Sequence, residues 1–230
     1  MIEFLNSIGP LLLLLLGWLM GLVSPGIADR IRRGYRRRDL ERAVLDELFG
    51  LQHVMAIVAY RIRARRMAVT NEFLDAIIPT VDKYKGPDRI EALIEAIKGA
   101  RNLPEDQRAA IDKAMSRPNV SLALRQYSLP LIATQISDLT ICSIAFQRAV
   151  LHVQFHLDLC NQFVPHSQAL HDKTFSDLTP ENRDAVIANL EQGFREYGDR
   201  AERIVEAIKA IDDQYGRSQG SAGSAGTLVP

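Results

Sequence analysis

A chain of 230 residues has room for one domain or two, and its 28 basic residues balance 28 acidic ones, which argues against a surface that binds polyanions throughout. The balance hides a division: residues 1–66 carry 11 arginines against 6 acids, a net +5, while the remainder carries 17 basic against 22 acidic side chains, a net −5. Aromatics make up only 7%, and without alternating β-branched runs the composition speaks against sandwiches, barrels and nucleotide-binding α/β sheets and for an all-α fold.

Residues 4–28 form 25 consecutive positions without a charge, enough to cross a hydrocarbon core of about 30 Å as a helix. The alternative is a cleaved signal peptide, with residues 26–28 as a small-residue cleavage site. No Lys or Arg precedes the stretch, however, and Arg30, Arg32, Arg33, Arg36, Arg37 and Arg38 follow it. That asymmetry predicts a retained single-pass anchor in the inner (plasma) membrane, with the N-terminus outside, the C-terminus cytoplasmic and the six arginines at the lipid headgroups. Within the span, Gly17 and Gly21 have the spacing that lets two helix backbones approach, so self-association is expected there.

Ser24, Pro25 and Gly26 predict a break or bend, followed by a helix from about Ile27 or Asp39 to Ala68 with a heptad seam at Val44, Leu48, Leu51, Met55, Val58 and Ile62. Shorter amphipathic helices follow: one capped by Thr70 and disturbed at Pro79, one opened by Pro87 with Ile90, Leu93, Ile94 and Ile97 on a face, and one running from Pro104 to near Ser116. Residues 130–164 lack Pro between their ends and are apolar around most of the circumference, which predicts a single core helix, followed by a polar loop over 165–178. Thr179, Pro180 and Glu181 announce the last helix. Its seam of Ile187, Leu190, Phe194, Tyr197, Ala201, Ile204, Ile208, Ile211 and Tyr215 is the strongest period in the chain.

The expected organisation is an anchor at 1–28, a basic juxtamembrane and first helix at 29–68, and a cytoplasmic helical region at 69–217. A Gly/Ser-rich added linker at 218–230 completes it, its final Leu-Val-Pro resembling the opening of a thrombin site. The fold expected is an elongated cytoplasmic bundle of long heptad-patterned helices on a membrane stalk. Leu190, Phe194, Tyr197, Ile204, Ile208 and Ile211 join Gly17 and Gly21 as expected oligomerisation residues.

The chemistry in the sequence is sparse. His152, His156 and Cys160 recur every four residues, a spacing that can chelate a transition metal, but without the Glu of the metalloprotease motif. Arg148 precedes His152 by three intervening residues and His156 by seven. The motif of the all-helical HEPN ribonucleases places four to six there, so a divergent helical ribonuclease or a metal-dependent enzyme stands only as an alternative. Arg61, Arg63, Arg65 and Arg66 lie beyond the reach of the membrane surface potential and form a candidate site for an anionic ligand, a nucleotide or RNA. Cys142 and Cys160, placed on one predicted helix about 27 Å apart, are expected as reduced thiols. No phosphate loop, nucleophile elbow or paired-carboxylate pattern occurs, no cofactor is expected, and the functional expectation is a non-catalytic homo-oligomeric scaffold or gated, pore-like membrane effector. Membrane lipids, further copies of the chain and an anionic ligand or nucleic acid are the expected partners.

Overall fold

The computed structural model describes residues 2–84, 90–115 and 124–216. Among them the chain is all-helical, with no strand: α1 (Ile2–Arg65), α2 (Asn71–Val81), α3 (Glu91–Asn102), α4 (Glu105–Met115), α5 (Pro130–Thr134), a 3-10 turn (Asp138–Ile141), α6 (Ile144–Lys173), α7 (Pro180–Ile211) and a closing π turn (Asp212–Gly216). Pro87, Ser116 and the linker at 218–230 lie outside the described residues.

The break expected at Ser24, Pro25 and Gly26 does not occur. α1 is one helix of 64 residues, about 96 Å long at 1.5 Å per residue. A proline removes one backbone donor, and the helical bonds on either side carry the chain through. Near its N-terminus this helix is long and apolar enough to cross a membrane, although the qualifying window among the described residues lies within Gly26–Arg65 and is 56% buried inside the fold.

Residues 26–39 are exposed without exception, and Leu40 is the first buried side chain of the core. From there α1 lies against α7, α2, α4 and α5. Of the expected seam, Val44, Leu48, Leu51, Met55 and Ile62 are buried and Val58 is half-buried. Leu45, Ala56, Ala59, Tyr60 and Ala64, off the seam, are buried too. A helix covered from several sides needs an apolar surface wider than a two-position stripe.

The Thr70 hydroxyl accepts from the Phe73 amide at 3.2 Å and starts α2, which runs through Pro79 to Val81. Ile94, Ile97 and Ala100 bury one face of α3 against this part of the core. The single helix expected over 130–164 is divided into three pieces, because Gln135 to Ser137 turn the chain and Ser143 caps a new helix by accepting from the Phe146 amide at 3.2 Å. α6 then continues through Pro165 to Lys173, where a loop was expected. Pro165 offers no amide to the Asn161 carbonyl, and the Gln126 side-chain amide donates to that oxygen instead at 3.4 Å.

Thr179 caps α7 as expected, accepting from the Asn182 amide, with Pro180 at the first helical position. α7 packs against both α6 and α1. Seven seam residues from Leu190 to Ile211 are buried, whereas Ile187 is 46% exposed. At the α1 crossing, a Cβ on Gly198 would stand 2.7 Å from Ile62 Cγ2, so the close approach of the helices requires glycine.

Polar groups close the fold at its joints. Glu47 of α1 accepts from the Leu131 and Ile132 amides at 2.8 and 3.0 Å and so caps α5. The Asn161 side chain exchanges two hydrogen bonds with the backbone of Tyr127, and the Tyr197 hydroxyl donates to the Arg125 carbonyl at 2.9 Å. Together they hold residues 124–129 across α6 and α7.

Candidate functional site

Three places combine accessible polar groups with shape. The first is the end of α1, where the helix delivers Arg61, Arg63, Arg65 and Arg66. Two of the four arginines are already paired. Arg63 donates to both carboxylate oxygens of Glu202, one at 2.7 Å, and Arg65 donates to Glu191 at 2.6 Å. Their guanidinium groups also sit over the rings of Phe73 and Phe194, 4.5 and 5.3 Å from the centroids. The Glu202 carboxylate holds the Arg63 guanidinium above its ordinary pKa. The acids on α7 therefore take up half of the expected anion site as an intrachain lock. Arg61 remains exposed with no ion pair among the described residues, and Arg66 is half-buried.

The second place is a cavity of about 490 Å³ between α6 and α7, lined by His152, His156, Arg203, Glu206 and Gln214. The four-residue spacing brings the two imidazoles together with their Nε2 atoms 3.2 Å apart. His156 is 8% exposed, and its Nδ1 is buried without a hydrogen-bond partner among the described residues. Burial first, then His152, Arg203 and Arg200, pushes its pKa below the ordinary histidine value, which favours the neutral ring. Cys160 does not share this cavity. It is fully buried, and desolvation pushes its thiol up to about 12. No group of three or more His, Cys, Asp or Glu side chains suited to a metal forms among the described residues. Arg148 is exposed on the neighbouring turn of α6 and is not among the lining residues.

The third place was not foreseen. A cavity of about 770 Å³ opens between α1, α2 and the end of α7, with Asp46, His53, Thr80, Lys83, Tyr84 and Lys209 among its lining. His53 Nδ1 contacts the Phe49 carbonyl, which must accept, so Nδ1 is the donor. Its Nε2 is buried without a hydrogen-bond partner among the described residues, and the Tyr84 ring meets the imidazole edge-on at 5.6 Å. The sequence signal was a histidine on the apolar helix but off its seam.

The remaining expected residues fall as follows. Arg30, Arg32, Arg33, Arg36, Arg37 and Arg38 all project from the exposed part of α1. Arg36 pairs with Asp138 and Arg37 with Glu41, each at 2.8 Å. Gly17 and Gly21 are exposed, with open space where a Cβ would stand. Leu190, Phe194, Tyr197, Ile204, Ile208 and Ile211 are at most 8% exposed within the single chain. That surface is already occupied by the chain's own helices. Cys142 and Cys160 are free and buried, as expected for thiols. They are not on one helix, because Cys142 ends the 3-10 turn before α6; desolvation raises its pKa to about 11. The chain matches no known family model, no characterised protein and no solved structure.

Proposed function

We propose that this chain is a single-pass, membrane-anchored homo-oligomer whose helical bundle faces the cytoplasm and acts as a scaffold or a gated, pore-like membrane effector without catalysis of its own. The observation that carries this reading is the rod formed by residues 26–39. It continues α1 beyond the packed domain, is exposed on every side, and displays Ile27, Ile31 and Tyr35 at 53%, 53% and 61% exposure. A helix of this length that buries none of its side chains is marginal in water, and its six arginines suit an anionic headgroup layer. The uncharged stretch at 4–28 lies N-terminal to it, while the apolar residues beyond Leu40 are engaged in packing.

The same helix offers a face for a second copy. At about 100° per residue, Gly17, Gly21, Ala28, Ile31 and Tyr35 fall on one side of α1, and Leu40, Val44, Leu48 and Met55, which hold the domain, fall on the opposite side. A parallel neighbour anchored in the same membrane would meet the first face along residues 17–35, ahead of the packed domain. Topology tests the reading directly: a C-terminal fluorescent reporter is expected to be active in bacterial cells and a periplasmic phosphatase fusion inactive. The reverse pattern removes the cytoplasmic assignment.

A second reading, an anion- or RNA-responsive effector, is supported by Arg61, which is exposed and has no ion pair among the described residues. Salt-dependent binding of a labelled oligonucleotide, lost in Arg61→Ala, is the expected signature.

A further inference from the structure

Arg108 of α4 is an electrostatic anomaly. Its side chain belongs to the buried set, with 3% of the residue exposed. Nη1 donates to Asn71 Oδ1 and, at 3.5 Å, to the Ala100 carbonyl, both neutral acceptors. No carboxylate among the described residues pairs with it, and the hydrogen bonds it makes to them all leave from Nη1. A guanidinium that leaves water is costly unless an anion compensates it. Arg63 and Arg65, less buried, each have a glutamate; Arg108 has none among the described residues.

Beside it lies a cavity of about 290 Å³, lined by Tyr60, Leu93, Ala96, Gly99, Leu103 and Ile111 together with Ala100 and Arg108 itself. The walls are mostly apolar and the arginine is the one charged side chain among the described lining residues, which is the usual make-up of a small-molecule site: an apolar enclosure with few orienting polar groups. A planar guanidinium accepts a carboxylate through two parallel hydrogen bonds.

We propose that this cavity binds a small carboxylate with a short apolar body, its carboxylate on Arg108 and its hydrocarbon against Leu93, Leu103 and Ile111. The site does not depend on membrane insertion or self-association. A purely structural role would make Arg108 a tie between α4, the first turn of α2 and the end of α3. The two roles predict opposite responses to substitution. A tie is missed when it is cut, whereas an uncompensated buried cation replaced by an apolar side chain of similar length leaves the ligand-free protein as stable or more so.

The test uses the purified full chain, with octanoate as probe, acetate and 1-octanol as controls, and melting temperature and calorimetric titration as readouts. Octanoate is expected to raise the melting temperature in a concentration-dependent way, with acetate and octanol at the same concentrations having little effect. Arg108→Met is expected to melt at or above the wild-type temperature without ligand and to lose the octanoate shift. Gly99→Leu is the second variant. Gly99 lines the cavity with open space where its Cβ would stand, and leucine favours helix over glycine, so the fold is retained while the space is filled and the shift disappears. The proposal is overturned if octanoate has no effect on the wild type, if octanol matches it, if acetate matches it, or if Gly99→Leu responds as the wild type does. A drop of several degrees in ligand-free Arg108→Met also overturns it, in favour of the structural tie.

Discussion

Two successive stretches of the C-terminal part of α1 share one helix and are physically opposite: residues 26–39, its first half, and residues 40–65, its second half. Residues 26–39 present Ile27, Ile31 and Tyr35 to solvent; residues 40–65 bury Leu40, Val44, Leu48 and Met55 to 6% exposure or less. Nothing in local helix propensity separates them, since both lie on one unbroken helix. The difference is the presence of α7, α2, α4 and α5 along the second half only. Burial in this molecule is decided by which partner reaches the helix, and residues 26–39 stay exposed, joined to the domain by the Arg36–Asp138 ion pair.

The sharpest way to break this comparison is to place a charge in each half of the packing system. Ile204→Asp or Ile208→Asp puts a carboxylate where the native side chain is 0% exposed, and a loss of roughly 3–5 kcal/mol is expected. Thermal melting should show a very low transition or none. Ile31→Asp on the exposed rod is expected to stay within about 0.5 kcal/mol of wild type. If the two substitutions melt alike, the division of α1 into a packed and a free half is wrong.

Gly198 tests how closely the halves' partner approaches. Gly198→Ala drives a methyl group toward Ile62 Cγ2, and overpacking of this kind costs about 1–3 kcal/mol. Shortening the opposing side chain with Ile62→Ala in the same chain should recover part of the loss, measured as a coupling in a double-mutant cycle. No coupling would place α7 farther from α1 than described here.

The ion pairs scale the same contrast. The half-buried Arg63–Glu202 pair has side chains 29% and 22% exposed, against 65% and 41% for Arg36–Asp138 on the rod. Glu202→Gln is expected to cost on the order of 1 kcal/mol and Asp138→Asn close to nothing. Urea melts at low and high salt would separate them, because only the exposed pair is fully screened.

The smallest effect is in pH. Burial and the neighbouring His152, Arg203 and Arg200 hold the pKa of His156 in the folded protein below the ordinary histidine value of about 6.5. Below about pH 6.5 the unfolded chain therefore binds a proton that the native chain refuses, and stability falls with decreasing pH until the folded pKa is reached. His152, Arg200, Arg203 and Glu206 surround the ring, so His156→Gln should flatten this part of the stability profile without altering it above neutrality. A slope unchanged in the variant would assign the loss to other groups.

Much of the fold was legible because caps and periods are local. Thr70, Thr179 and the seam of α7 announced their helices correctly, since a cap needs only three residues and a packed face only its own spacing. Continuity was harder to read. Pro25 and Pro165 looked like boundaries, and 135–137 did not, because a helix survives a proline when neighbouring bonds hold it and, at Asn161, when another side chain satisfies the freed carbonyl. The site was read least well. The arginine cluster was visible, but Glu191 and Glu202 stand 126 and 139 residues away in sequence, and no local pattern shows that they neutralise Arg65 and Arg63. The nitrogens of His53 and His156 and the charge of Arg108, without partners among the described residues, are set only when the helices are assembled.

The central claim is that the free half of α1, not the packed half, joins one copy to the next. Its most direct test is the mass of the complex extracted in mild detergent, compared between the full chain, Gly17→Ile with Gly21→Ile, and a chain beginning at Asp39. The account predicts a multiple of the chain mass for the first, a weakened assembly for the second and a monomer for the third, which retains the whole packed core from Leu40 onward. A monomeric full chain, or a shortened chain that keeps the full assembly, would contradict it.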